Sequence, residues 1–390
     1  MELKLGRHRQ QIAAGLGIAL VGYTSAFAVV LAGLRRVGAS PAQATSGLLV
    51  LCLAVGAATL LLSRRHRIPI TIAWSTPGAA VLASTGAVHG GWPAAVGAFL
   101  IVGGLVVLTG VWPRLGALIT AIPAPIAQAM LAGVVLQICL TPVRGIATHP
   151  AEVVPILLAW LLLMRVAPRW AVPGAFVVTL VVAVLSAGHG VHGPVLPHPT
   201  LTVPRFSWSA LVGIALPLYV VTMAAQNVPG VAIMSAHGYS IPWREAMTTT
   251  GIGSILCAPF GGHAINLAAI SASVPASAQA HPDPARRWPA AATFGVVFLL
   301  LAALTTALTT LLSAAPADVI GTVAAVGLLG TLASSLGAAV HDPAQRPAAA
   351  VAFIVAASGV TIAGVAAATW ALVAGLVVQA VLVPRRSARA

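Results

Sequence analysis

Apolar runs long enough to cross a bilayer follow one another along this chain from its first residues to its last. A hydrocarbon core about 30 Å thick takes about 20 residues of apolar helix, and backbone inside it must satisfy its own polar groups. Composition carries the same constraint, since 59% of the 390 residues are hydrophobic and 7% are charged. The expected fold class is an all-α polytopic membrane protein held in a lipid bilayer.

The formal net charge of +14 does not point to nucleic acid. Arginines occur in ones to threes between apolar runs and form no continuous basic face, which is the pattern of membrane topology. Cys52, Cys139 and Cys257 stand singly in apolar segments, without CxxC spacing or a neighbouring His. They read as packing residues, with neither a disulfide framework nor a metal site. The N-terminal "MELKLGRHRQ" and the run after it resemble a signal peptide, but the run continues to about Gly33 and further spans follow. It reads as an uncleaved first span.

Divided at its Arg, Pro and Gly-rich joints, the chain yields fourteen spans, beginning near residues 11, 42, 68, 92, 117, 151, 170, 208, 243, 263, 288, 317, 347 and 367. With both termini in the cytoplasm, sixteen of the 20 basic residues fall on the inside, and only Arg35, Arg36, Arg144 and Arg205 fall outside. That asymmetry is what the positive-inside rule requires. The longest connection, "AGHGVHGPVLPHPTLTVPRF", divides seven spans from seven. Residues 1–187 are thus expected to form one repeat, 188–207 a periplasmic loop and 208–390 a second repeat. Seven is odd, so the second repeat runs through the membrane in the opposite sense.

Three pairs of segments match in order: Gly15 to Pro41 with Leu211 to Pro242, "PITIAWSTPG" (69–78) with "AINLAAISAS" (264–273), and Ile122 to Leu136 with Ala315 to Leu329. The second pair carries the chemistry. In span 3, "IPITIAW" alternates β-branched residues, and Ser75-Thr76-Pro77 then offers helix-start chemistry where a membrane helix should be halfway across. Span 10 is expected to break in the same way, with Asn266 in an extended part and Ser271 or Ser273 starting a half-helix. Non-helical backbone at membrane depth is tolerated where it lines a cavity or is buried in protein, so paired breaks point to a site. Two facing half-helix N-termini would favour an anion by up to ~2 kcal/mol each. A structural kink with no ligand is the alternative.

Acidic residues are only Glu2, Glu152, Glu245, Asp283, Asp318 and Asp342, all in termini, loops or span ends. That argues against aspartic intramembrane proteolysis and against a cation carrier built on buried acids. Gln226 and Asn227 lie mid-span and can offer amides to a carboxylate or bond between helices. Tyr23, Thr24 and Ser25 occupy the matching part of span 1, where the hydroxyls either meet the ligand or bond back to their helix. His263 is the ionisable side chain nearest a broken span, as a proton carrier, a gate or a structural group. His189, His192 and His198 are irregularly spaced and have no acid or Cys beside them, so no metal is expected there.

The segments "VGYTS", "AWSTPGAA", "TMAAQNVPG", "PFGGHAINLAAISA" and "HPDPARRW" together resemble the benzoate:proton symporter (BenE) family across almost the whole chain. The resemblance implies a bacterial inner-membrane secondary transporter for benzoate or a related aromatic carboxylate, driven by protons and needing no cofactor. It also implies the 7+7 inverted-repeat fold of nucleobase and sulfate transporters. In that fold a core of spans 1–4 and 8–11 moves against a gate of spans 5–7 and 12–14, often in a homodimer. Nucleobase–proton relatives tend to carry an acid on span 8, where this chain has Gln226. Ser75, Thr76, Pro77, Gly78, Gln226, Asn227, Asn266, Ser271 and the Tyr23-Thr24-Ser25 triplet are the expected substrate contacts. The proton is expected to ride on His263 or to enter with the substrate as its acid. A passive organic-anion channel, or a carrier for another small anion or a nucleobase-like substrate, is the alternative. A membrane enzyme would need a nucleophile or metal constellation that the sequence does not offer.

Overall fold

The computed structural model describes residues 2–186 and 193–382, so the expectations for His189, His192 and the basic residues after 382 lie outside the described residues. The protein is mostly helical. Its elements run α1 (Glu2–Arg36), α2 (Pro41–His66), β1 (Ile72–Trp74), α3 (Thr76–Thr85), α4 (Gly91–Val111), α5 (Pro113–Thr120), α6 (Ala124–Cys139), α7 (Thr141–Thr148), α8 (Pro150–Val166) and α9 (Ala171–Ser186). Beyond the central connection come α10 (Trp208–Ala210), α11 (Leu216–Thr222), α12 (Val228–Ala236), α13 (Trp243–Cys257), β2 (Ile265–Leu267), α14 (Ser273–Ala276), α15 (Trp288–Ser313), α16 (Ala317–Ala339), α17 (Arg346–Ser358) and α18 (Ala367–Leu382).

Among the described residues, 8 helical segments are long and apolar enough to cross a membrane, from Arg9–Arg36 to Ala317–Ala339. α17 and α18 are shorter apolar helices, and α8 and α13 have 17 and 15 residues. A count of fourteen spans therefore has to include short helices and two broken segments. One expected start moves. The position near 117 lies inside α5, and the crossing helix begins at Ala124 because Pro123 cannot continue α5.

Local chemistry accounts for the joints. Ser40 caps α2 through a reciprocal pair, its Oγ accepting from Gln43 N at 3.3 Å while Gln43 Oε1 accepts from Ser40 N at 2.9 Å, with Pro41 at the first helical turn. The segment Trp208–Ala236 is one continuous helix with two π-helical turns, Leu211–Ala215 and Met223–Asn227. Each precedes a proline, Pro217 or Pro229, whose missing N–H frees a carbonyl one turn back, and the wider turn absorbs the defect. α2 packs along α15 and α4 along α13 with their glycines face to face. A Cβ on Gly56 would lie 2.7 Å from Gly295 O, and one on Gly251 would lie 2.8 Å from Gly103 O. Such close backbone approach is how membrane helices gain packing energy without a hydrophobic driving force between them.

The two broken segments meet as a two-stranded antiparallel sheet in the middle of the bundle, with Ile72 opposite Leu267, Ala73 opposite Asn266 and Trp74 opposite Ile265. Both strands are almost wholly buried, so every outward N–H needs a side-chain partner. Ile72 N donates to Thr59 Oγ1 and Ile265 N to Ser254 Oγ, each at 3.0 Å, and Leu267 N donates to Asn227 Oδ1 at 2.9 Å. The local two-fold axis of the sheet passes through the Ala73–Asn266 pair and relates Ile72 to Ile265. Reading the two decapeptides side by side puts Ile70 against Ile265 instead, so the structure shifts that match by two residues.

The shift explains why the two breaks differ. In register, Ser75 corresponds to Ala268 and Thr76 to Ala269, so the second break has no hydroxyl in the capping position. Ser75 caps a ten-residue helix, α3. After β2 there is only a 3₁₀ turn, Ile270–Ala272, and the four-residue α14, which has no side-chain cap. The expected half-helix starting at Ser271 or Ser273 is therefore a single turn or two, too short to build an appreciable dipole. Of the two expected facing helix ends, one is present.

Candidate functional site

A cavity of about 140 Å³ opens between α1, the β1–α3 junction, the π-turn at Met223–Asn227, the start of the 3₁₀ turn, α15 and α16. Its apolar wall consists of Ile18, Val21 and Ala26 with the rings of Trp74, Phe294 and Phe298. Trp74 and Phe298 meet edge to face at 5.5 Å, and Phe294 lies 4.7 Å from Phe298, spacings at which aromatic pairs hold one another rigidly. The polar wall consists of Ser25, Thr76, Gln226, Ser271 and Thr331. No charged side chain lines the cavity.

The helix start does part of what the sequence suggests. Ser75 Oγ accepts from Gly78 N at 3.1 Å and bonds Thr222 Oγ1 at 2.7 Å, while Ser75 O accepts from Ala79 N at 2.8 Å. Pro77 has no N–H, so the Thr76 N–H is the donor of that first turn which Ser75 does not use. Thr76 and Pro77 line the cavity, whereas Ser75 is fully buried behind them. Gly78 is a packing position, since a Cβ there would lie 2.3 Å from Leu218 Cδ1.

The amides divide by role. Gln226 faces the cavity, and its Oε1 accepts from Ala269 N at 3.4 Å, which leaves its NH₂ as the group able to donate to a ligand. Asn227 is fully buried, holding Leu267 N with Oδ1 and approaching Met223 Sδ at 3.1 Å with Nδ2. It is a strut for β2 and not a ligand contact. Asn266 is also buried away from the cavity; its Nδ2 donates to Leu267 O at 2.7 Å and its Oδ1 has no partner. Both departures have one cause: on a buried two-stranded sheet, amides are consumed by strand backbone.

In the span-1 triplet, Ser25 lines the cavity while its Oγ donates to Val21 O at 2.6 Å. Thr24 Oγ1 donates to Leu20 O at 2.8 Å on the far side of α1. Tyr23 is buried behind the rings, 5.7 Å from Trp74 and 6.1 Å from Phe298, with its hydroxyl 3.4 Å from Thr305 Oγ1. It supports the aromatic wall from outside. His263 is fully buried and does not line the cavity; its Nε2 lies 3.0 Å from Ser75 O. A carbonyl only accepts, so Nε2 carries the proton, and Nδ1 is a buried acceptor without a partner. His263 thus touches the site through the residue that caps α3.

The acids stay at the margins: Glu245 with Arg65 and His66 at 3.0 Å, Asp318 with His149 at 3.0 Å, and Asp283 with Arg286 at 3.3 Å. Trp74, Phe294, Phe298 and Thr331 are among the lining residues that sequence reasoning missed. A usable signal existed for three of them. Aromatics make up only 5% of the chain, one of them adjoins the break, and Phe294 and Phe298 stand four apart on a single helical face.

A family profile described as "Benzoate membrane transport protein" matches residues 7–381. "Inner membrane protein YdcO" of Escherichia coli is 39% identical over 373 residues, covering 95% of both chains. A "Benzoate membrane transport protein" of Acinetobacter baylyi is 27% identical over 379 residues, covering 95% of this chain and 94% of that one. Among solved structures, SLC26A9 superposes with a TM-score of 0.65 at 14% identity; the match covers 96% of this chain but 65% of SLC26A9. The transmembrane domain of the cyanobacterial bicarbonate transporter BicA gives 0.58 at 15% identity, covering 95% and 97%. These structural likenesses establish a shared fold and nothing about the ligand.

Proposed function

Because the chain belongs to the benzoate membrane transport protein family, and is therefore a multi-pass inner-membrane transporter and not an enzyme, we propose that it imports benzoate or a related aromatic carboxylate with a proton by alternating access. The observation that carries this reading is the mixed lining of the cavity, aromatic rings together with uncharged hydrogen-bonding groups. Trp74, Phe294 and Phe298 offer faces and edges to a ring, and the start of α3, the Gln226 amide and the hydroxyls of Ser25, Thr76, Ser271 and Thr331 line the same cavity. A volume of about 140 Å³ is of the order that takes up one benzene ring. Desolvating a carboxylate costs several kcal/mol, and a helix end contributes up to ~2 kcal/mol. The amide and hydroxyl donors are needed to offset the rest.

The packing supports a division into two bodies. α1 to α4, the segment 208–236, α13, β2 and α15 pack mainly on one another, as do α6, α16, α17 and α18. The cavity lies between them, with Gly327 and Thr331 of α16 as its contribution from the second group. Two proton routes are compatible with this geometry. The cavity has no titratable side chain of its own, so the substrate can enter as its acid, or His263 can carry the proton on Nδ1, its one unpartnered ring nitrogen, while Nε2–H stays on the Ser75 carbonyl. His263→Gln separates them: gradient-driven uptake that persists assigns the proton to the substrate.

Uptake of radiolabelled benzoate into proteoliposomes, with and without an inward proton gradient, tests the whole reading. Accumulation that requires the gradient and collapses with a protonophore is the expected result. Benzoate flux indifferent to the protonophore would make the protein a channel, and no benzoate flux at all would end the assignment.

A further inference from the structure

A second, larger cavity of about 590 Å³ adjoins the first and shares Ile18 and Val21 with it. One face of α1 runs through both: Gln10, Ala14 and Gly17 border the larger cavity, and Gly22 and Ser25 the smaller. Through the shared Ile18 and Val21, steps of three and four residues (10, 14, 17, 21, 25 and 14, 18, 22) make this a single helical stripe. Its glycines face open space, since a Cβ on Gly17 or on Gly22 would meet nothing within 4 Å. Gly56, Gly103, Gly251 and Gly295 serve close helix contact, whereas Gly17 and Gly22 leave the space beside α1 open where the two cavities meet. Toward the α1 N-terminus the lining continues to the exposed Gln10, whose Nε2 donates to Gln279 O at 3.0 Å. At the mouth stand Arg169 and Trp170, exposed on the 3₁₀ turn Pro168–Trp170 between α8 and α9. Arg169 makes none of the ion pairs among the described residues, and it is the one charged side chain lining either cavity.

We infer that the larger cavity is the passage between the carboxylate site and the face of the protein that carries the α1 N-terminus, and that Arg169 is its capture residue for the aromatic acid. This rests on the transport reading above and adds to it a route, a side and a second carboxylate contact. A guanidinium at a water-filled mouth raises local anion concentration and encounter rate, and salt screens that effect. Arg169 and the exposed Trp170 together present a charge and an apolar surface to the same ligand class that the inner cavity is proposed to accept.

The test uses full-length protein in inside-out vesicles, where the positive-inside orientation puts this mouth outside. Arg169→Gln is expected to raise KM for benzoate about three- to tenfold at low ionic strength while leaving kcat in place. The difference should vanish near 1 M salt, where the Debye length is about 3 Å, and Arg169→Lys should restore most of it. A KM that does not move, or a loss that salt leaves unchanged, overturns the role of Arg169. The route is read separately, without transport. Gly17→Cys should react with a membrane-impermeant maleimide in inside-out but not right-side-out vesicles, against wild type as the control for Cys139. Absence of labelling, or labelling only from the opposite side, overturns the passage. Wild-type protein that does not move benzoate while Gly17→Cys labels as stated would sink the substrate assignment and leave the route standing.

Discussion

Neighbouring amides on one π-turn have opposite duties, and this is the sharpest residue-scale result. Gln226 faces the cavity while Asn227 holds the Leu267 N–H. Gln226→Ala should therefore raise KM for benzoate by about ten- to hundredfold, the loss of a hydrogen bond to a charged group worth ~1.5–3 kcal/mol, with unfolding temperature nearly unchanged. Asn227→Ala should do the reverse. It leaves a buried strand N–H unpaired at a cost of about 1–3 kcal/mol, visible as a lower unfolding temperature in detergent, with KM in the surviving protein close to wild type. Asn266 belongs with Asn227, its amide being spent on Leu267 O. The string Gln-Asn in a membrane span announces that polar work is done there. Which of the two faces the ligand depends on the phase of a π-turn, and no periodicity assuming 3.6 residues per turn reads that phase.

At the scale of elements, Thr59 on α2 and Ser254 on α13 do equivalent jobs, each accepting from the first N–H of one strand at 3.0 Å. Thr59→Val and Ser254→Ala should each lower stability by about 1–3 kcal/mol, measurable as similar falls in unfolding temperature. A fall confined to one of them would argue against equivalent strand ends. Ser75→Ala removes the cap of α3, worth about 1 kcal/mol, and strips Thr222 of its partner. Uptake should fall further than stability, because the lost hydroxyl fixes the first turn of α3, on which Thr76 and Pro77 line the cavity. The start of α3 was legible because Ser-Thr-Pro is capping chemistry that works the same way in water or membrane. Its counterpart in the second half was over-read. A match between Ala-rich decapeptides slides by two residues at little cost in similarity, and only the strand register excludes the wrong alignment.

For the whole molecule, the contact between the two groups of helices is the quantity to perturb. Gly327 of α16 sits so near α1 that a Cβ would lie 2.3 Å from Ser25 O. Gly327→Ala must push α16 away from α1 at the cavity itself. It should lower kcat for benzoate uptake several-fold with membrane expression retained, because interfaces between moving bodies tolerate a few tenths of an ångström and not one. Normal turnover in that variant would mean that α16 and α1 do not work against each other during the cycle.

By itself the sequence determined that this protein lives in a bilayer, where its charges lie, that a helix starts in the middle of span 3 and that the buried core has no carboxylate. These are properties of hydropathy, charge and capping, each decided within a window of a few residues to a few tens. Tertiary structure alone decided that Trp74, Phe294 and Phe298 share one wall, that His263 reaches the site only through Ser75, and that a second cavity runs along α1 to Arg169. Those facts depend on residues well over a hundred positions apart being brought together. Pairing of β1 with β2, and of α1 with α15 and α16, is set by the simultaneous burial of all of them and not by any one segment.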